Sequence, residues 1–367
     1  GVWIMAYTTI DDPSAHFQAL TYTGNATNRT LTFDGNSDLQ ADWFWFKERN
    51  ASANWHQLYD TSRGIGTSSS KRLFTNATSA EEETSGSGVR GVGTNSVDIG
   101  TTPGVNGNTN TLVLWAWKAN GGTTSSNTDG DITSTVQVNS TSKFSIFTYT
   151  GNGNNLDTVG HGLGTTPDFC VIKGRSSGAS GTQRWFVKVP AVCGASEILE
   201  LDTTNAKGDS GNGIETMSST TVTLGIDTGN GNGVNESGLN YVGYAFASVE
   251  GYSKIGSYTG NGNADGPFVY TGFRPAWVMT KRTDSTSSWF ILDVKRDPEN
   301  YLGQNLYPNL ANAESTETSG RISDFLSNGF KCRGSNNDNN ASGGTYIYMA
   351  FAEHPFVSSK GVPVTAR

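Results

Sequence analysis

The chain has 367 residues, 46 of them glycine, with 16% charged and 11% aromatic residues and a formal net charge of −8. That length suits two or three domains rather than one. The aromatic content excludes a disordered polar chain, the acidic balance excludes a general nucleic-acid binder, which needs a basic stripe, and no apolar run approaches the roughly 20 residues of a membrane-spanning helix.

Residues 1–19, with "TTIDDPSAHFQ", read as a short docking arm. Their apolar part is too short, and too poor in flanking cations, for a signal peptide or an anchor. Residues 20–119 form a first unit. It opens on "YTGN" at Tyr22, runs through an aromatic strand "WFWFK" and a second at "NWHQLYDTSR", and closes on "TLVLWAWKA". Residues 120–142 are polar and rich in Gly, Ser and Thr, which predicts a linker with an edge strand at "TSTVQV". Residues 143–250 repeat the first unit: "YTGN" at Tyr149, "FCVIK", "RWFVKV" and a closing "NYVGYAFAS". After a short join, which is expected to tie units 2 and 3 more firmly than units 1 and 2, residues 251–356 repeat it again. This third unit has "YTGN" at Tyr258, "WVMTK", "SWFILDVKR" and "TYIYMAFAE", and a tail of residues 357–367 follows.

The three "YTGN" tyrosines lie 127 and 109 residues apart, so each repeat is domain-sized and not a solenoid turn. Short aromatic strands between turn-rich clusters predict an all-β fold of three tandem β-sandwich units, jelly-roll or lectin-like. The first and last strands of each unit are expected side by side. In "TYIYMAFA", Tyr346, Tyr348 and Ala350 fall on one face and Ile347, Met349 and Phe351 on the other, so both faces are buried. The Ala/Glu-rich "NLANAESTETSG" is the one candidate for a short helix. Cys170, Cys193 and Cys332 are too few and too odd for a disulfide framework and read as buried thiols.

The sequence offers no catalytic set. None of His16, His56, His161 and His354 recurs at an equivalent position, and no strand–Ser–helix elbow is present. Glu81, Glu82, Glu314 and Glu317 are the carboxylates that a glycosidase would need, but unit 2 carries Lys207 in their place. Lys47, Lys173 and Lys281 recur at a strand end, each expected to pair with a carboxylate on the neighbouring strand. The loops holding Asp227 and Asp338 are rich in oxygen ligands; a turn is the first reading and a calcium site the alternative. No other cofactor is expected. Binding candidates are loop residues: Trp55 and His56, His161, Asp265 and Tyr270. Exposed Trp and Tyr rings suit the stacking of sugars; Trp55 and Trp3 are the tryptophans expected to face solvent, the others lying in strands.

The segments "TIDDPSAHFQ", "TFDGNSDLQADWFWFKERN", "YVGYAFASVEGYSKIGSYTGNGNADGPFVYTGFRPAWVMTKR" and "ASGGTYIYMAFAEHPF" resemble a family of repeat proteins of marine and cyanobacterial tailed phages. Those proteins are described as tail-fibre or other virion structural proteins. The resemblance implies a non-enzymatic protein at the particle surface, made in the host cytoplasm, assembled with other virion proteins and as a homo-oligomer, a trimer first, and facing host-surface glycans. A capsid decoration or head-fibre protein is the first alternative. A glycan depolymerase or a carbohydrate-binding adhesin is the second.

Overall fold

The strand Thr345–Pro355 buries both of its faces, and the two faces enter different cores. Tyr346, Tyr348 and Ala350 join a cluster confined to unit 3, while Ile347, Met349 and Phe351 join a cluster drawn from all three units. This division recurs. In the first unit Leu114 and Ala116 enter a local core while Val113, Trp115 and Trp117 enter the shared one. In the second, Tyr241 and Ala245 enter a local core while Val242, Tyr244 and Phe246 enter the shared one.

The computed structural model describes residues 7–51, 54–177, 183–226 and 233–363. The fold is all-β and the named strand pairs are antiparallel. In every unit the first strand pairs with the last, and the last with the aromatic strand: Phe17–Thr23, Thr111–Trp117 and Trp43–Glu48; Phe144–Thr150, Asn240–Phe246 and Phe169–Gly174; Ser253–Thr259, Thr345–Pro355 and Phe273–Arg282. A small three-stranded sheet covers the outer face of each large sheet and closes the local core.

The units are therefore not sandwiches strung in tandem. Their large sheets turn their inner faces onto one another. Trp43 stacks on Tyr244 at 4.8 Å, Trp117 meets Trp277 edge-on at 5.7 Å, and Phe246 meets Phe351 at 5.9 Å. Main-chain bonds then close a ring. Glu81 N–H donates to Arg175 O (2.9 Å), Lys207 N–H to Thr283 O (2.8 Å) and Glu314 N–H to Arg49 O (2.7 Å), so unit 1 grips unit 2, unit 2 grips unit 3, and unit 3 grips unit 1. The donors and the acceptors occupy equivalent places in the repeat, which gives the single chain a pseudo-threefold plan. All three joints carry this main-chain bond, the first among them, where a looser joint was expected.

The "YTGN" phrase is the latch of each unit. Tyr22, Tyr149 and Tyr258 donate their hydroxyls to the carbonyls of Val105, Val234 and Asn339 (2.5, 2.5 and 2.8 Å). The buried amides of Asn106, Asn235 and Asn340 accept from the peptide N–H of Asn25, Asn152 and Asn261 (3.0, 2.9 and 2.8 Å). Glycine is required between them. A Cβ on Gly24, Gly151 or Gly260 would lie 2.0–2.3 Å from a carbonyl oxygen.

Four segments depart from expectation. Residues 120–142 are not a free linker: Ser125–Asn127 and Ser134–Asn139 extend the large sheet of unit 2. The arm ends earlier than residue 19, because Phe17 already pairs with Trp117. "NLANAESTETSG" forms no helix; Ser315–Thr316 pairs with Gln304–Asn305, and Glu314 is held by Arg49. The recurring lysines are buried and donate to main-chain carbonyls, not to carboxylates: Lys47 to Asn54 and Ala311, Lys173 to Gln183, Lys281 to Thr204 and Arg282.

Candidate functional site

The titratable groups at the unit joints form two matching networks. Asp60 accepts from the Tyr244 hydroxyl (2.6 Å) and from Arg63 Nε (2.5 Å); Arg63 continues to Glu81 (3.0 Å), which also binds Arg175 (3.0 Å). Asp293 accepts from Trp115 Nε1 (3.1 Å) and Arg296 Nε (2.5 Å); Arg296 continues to Glu314 (2.7 Å), which also binds Arg49 (2.8 Å). The third joint replaces every member. The strand register sets Val189 where Asp60 and Asp293 stand. Val192, Lys207, Thr283 and Met349 follow in the other places. A buried ion pair that loses one partner leaves an uncompensated charge, so such sets change together.

These networks fasten the carboxylates that the sequence singles out. Burial alone would raise the Glu81 and Glu314 carboxyls, but Arg175 and Arg63, and Arg49 and Arg296, outweigh it and hold them below the usual range. A general acid for glycoside cleavage needs the opposite shift. Glu82 pairs with Arg72 and Glu317 with Arg321, both at 2.8 Å.

The histidine candidates lie inside the protein. His56 is fully buried and its Nδ1 accepts from Trp45 Nε1 (2.9 Å). Burial, then the Lys47 and Arg296 charges, hold its pKa well below the usual value. His161 is also fully buried; its Nδ1 accepts from Leu163 N–H (3.2 Å), and burial lowers its pKa. Neither ring meets solvent, so neither serves as a surface contact. His56 holds the strand place of Trp185 and Trp289 in the other units. Those two indoles reach across joints to the carbonyls of Phe74 and Glu200 (2.8 and 2.9 Å).

The oxygen-rich loops are engaged as well. Asp338 accepts from Ser287 Oγ and Arg321 Nη1, both at 2.8 Å. Asp227 and Trp3 lie outside the described residues. Among the described residues no group of three or more His, Cys, Asp or Glu is placed to hold a metal ion. The three cysteines are free and buried.

Trp55, Asp265 and Tyr270 do face solvent. Asp265 pairs with Lys331 at 2.5 Å. Tyr270 is 54% exposed in the short strand Phe268–Tyr270. Trp55 is 42% exposed and packs edge-on against Phe74 at 5.1 Å. Both line a cleft of about 390 Å³ with Asn54, Gln57, Arg72, Glu83, Thr84, Ser85, Ser87, Thr102 and Pro103. The Arg72 guanidinium lies over the Phe74 ring at 4.9 Å. An open indole beside amide, hydroxyl and guanidinium groups is the combination that seats a sugar: a flat apolar surface for its C–H face and polar groups for its hydroxyls. Tyr270 and Asp265 lie in unit 3, so the three residues do not converge on one site.

Residues 12–355 match a family model described as "Domain of unknown function (DUF7483)". No curated protein and no solved structure matches the chain.

Proposed function

We propose that this chain, which belongs to the DUF7483 family, is a structural protein of a tailed-phage particle that holds host-surface glycans without cleaving them. The observation that carries the binding role is the exposed Trp55 indole at a polar cleft on a body whose other described tryptophans are buried. The assignment to a particle rests on the resemblance of the repeats. A rigid ring of three units suits a particle surface, because it presents loops without moving parts. The ion-paired state of Glu81 and Glu314 favours holding over hydrolysis.

Titration of the purified chain with oligosaccharides from the host surface, followed by tryptophan fluorescence, tests the binding role. Saturation is expected, lost in Trp55→Ala. Equal response in wild type and variant removes the cleft as the site. A reducing-end assay on the same mixtures detects a depolymerase. Antibody labelling of purified particles tests the location, and absence of the chain from them ends the structural reading. A head-decoration role is the second reading, favoured by the pseudo-threefold plan, which would let one copy sit on a threefold axis of a shell. The same labelling separates capsid from tail.

A further inference from the structure

The three small sheets share one plan, and their edge strands are equivalent: Arg29–Thr32, Thr158–Gly160 and Phe268–Tyr270. In unit 2 this edge is sealed by the chain itself. Ile132 N–H donates to Thr158 O (2.9 Å), Ile132 bridges Val159 in parallel, and Ser134 Oγ donates to Gly160 O (2.6 Å). The Asp131 carboxylate accepts from Thr158 N–H (3.0 Å). The sealing segment comes from residues 120–142, which precede unit 2.

Among the described residues no such segment runs along the edge of unit 3. Strand Asn240–Phe246 ends and strand Ser253–Thr259 begins after a join of only six residues, too short to run back along the edge. The bonds from Thr271 N–H to Asn328 O (3.0 Å) and from Cys332 N–H to Pro267 O (3.1 Å) fix the alternation of the ladder. Phe268 and Tyr270 therefore turn their peptide groups away from the sheet. Among the described residues no hydrogen bond reaches those groups. The same two residues put exposed aromatic rings, 45% and 54% accessible, on the outer face, where the Phe268 ring lies over Gly329. The Tyr7 hydroxyl donates to Gly272 O (2.8 Å) and sits 3.3 Å from the Tyr270 hydroxyl, which props one end of the strand; among the described residues none bonds to the main chain of Phe268. A bare edge carrying apolar rings is a template for strand addition.

We propose that the edge Phe268–Tyr270 receives an extended segment of another protein, added as a strand in the manner of Asp131–Ser134 on unit 2. The segment carries an aliphatic side chain flanked by carboxylate and hydroxyl residues, and its main chain takes up the outward peptide groups. The two rings cover its apolar side chain. This surface is separate from the Trp55 cleft and fits a polypeptide, not a sugar.

The test uses the full chain and a fluorescent peptide of residues 128–136, TDGDITSTV, as the probe. Fluorescence anisotropy is expected to show saturable binding. Phe268→Pro removes an outward N–H that the fold does not use, and Tyr270→Lys guards the edge with charge. Each is expected to weaken the peptide by about tenfold or more with the melting temperature unchanged. Lack of saturable binding, or equal binding in both variants, overturns the proposal. Sedimentation velocity adds a further arm: a dimer that dissociates in Phe268→Pro assigns the edge to a second copy and overturns the foreign partner. Binding that appears only after deletion of residues 1–6 assigns it to the chain's own start, with the same result.

Discussion

The Tyr244 hydroxyl crosses from unit 2 to the Asp60 carboxylate of unit 1, 2.6 Å away, and the Trp115 indole makes the matching bond from unit 1 to Asp293 of unit 3 at 3.1 Å. The equivalent residue in unit 3 is Met349, which has no proton to give, and the residue at the place of the aspartate is Val189. Donor and acceptor have been exchanged for apolar side chains together. This is the condition under which a buried polar contact is replaced at little cost.

Removing one member should therefore cost more than removing two. Tyr244→Phe is expected to lose about 1–3 kcal/mol by leaving an Asp60 oxygen short of a donor. Arg63→Met should lose about 3–5 kcal/mol by stranding the Asp60 charge. The double change Asp60→Val/Arg63→Val, which copies Val189 and Val192, should lose less than Arg63→Met alone. Urea denaturation monitored by tryptophan fluorescence ranks the three, and a double variant weaker than the single one refutes the coupling.

A size exchange accompanies His56. Unit 1 pairs Trp45 with His56 on adjacent strands, where unit 2 has Val171 with Trp185 and unit 3 has Met279 with Trp289. His56→Trp by itself overfills the shared core and should cost about 1–3 kcal/mol. Adding Trp45→Val should recover most of that loss. Thermal melts of the single and double variants check it; a double variant no better than the single would show that the two places do not share volume.

Stability should rise with pH over two ranges. Burial holds His16 down to about 4 and His56 well below its ordinary value of 6.5. Both are neutral in the fold, and the unfolded chain binds more protons below 6.5. Their stabilisation is present above about 6.5 and lost as pH falls toward 4. Burial likewise lowers Lys173 to about 7, and Lys47 and Lys281 to about 8, from an ordinary 10.5. From those values up to about 8.5 the unfolded chain again binds more protons, so stability should climb; above that the buried thiols of Cys170, Cys193 and Cys332, which burial keeps protonated in the fold, oppose the rise. Melting temperatures from pH 4 to 10 test both ranges. Lys173→Met should flatten the alkaline rise, and an unchanged rise would rule Lys173 out as its source.

The "YTGN" latch should fail at its glycine and at the asparagine it grips. Gly151→Ala brings a methyl group into the Glu236 carbonyl. Asn235→Ala removes the partner of the Asn152 N–H and of the Asn154 carbonyl, at about 1 kcal/mol for each lost bond. Hydrogen exchange should show faster opening at residues 149–154 than at the same phrase in units 1 and 3. Uniform exchange across the three units would mean that the latch does not act locally.

Much of each unit is legible in the sequence because repetition separates framework from filler. The phrase at Tyr22, Tyr149 and Tyr258, the closing strands and the two faces of "TYIYMAFA" can be read without coordinates. The ring cannot, because an apolar strand face does not say which sheet covers it. Trp43 meets Tyr244, some 200 residues on in sequence. Identity also misleads locally. Trp55 looks like the counterpart of Trp185 and Trp289, but the strand register gives that place to His56 and leaves Trp55 at the surface. An Asp-x-x-Arg at Asp60/Arg63 and Asp293/Arg296, which unit 2 lacks, marks two of the three joints in the sequence. Its partners, Tyr244 and Trp115, lie in other units and had no local signal. The cleft at Trp55 is lined from four separate stretches of chain, which only the fold brings together.

Because the third unit grips the first, the order of synthesis matters. The ribosome releases the face made by Trp43, Trp45, Trp115 and Trp117 long before it makes Trp277 and Phe351, which cover part of it. Throughout that interval the nascent chain carries an uncovered aromatic sheet, the kind of surface that aggregates or recruits a chaperone. Of the three units' large sheets, strand Thr345–Pro355 is made last and completes the shared core, so its removal should be felt most in the tryptophans of unit 1.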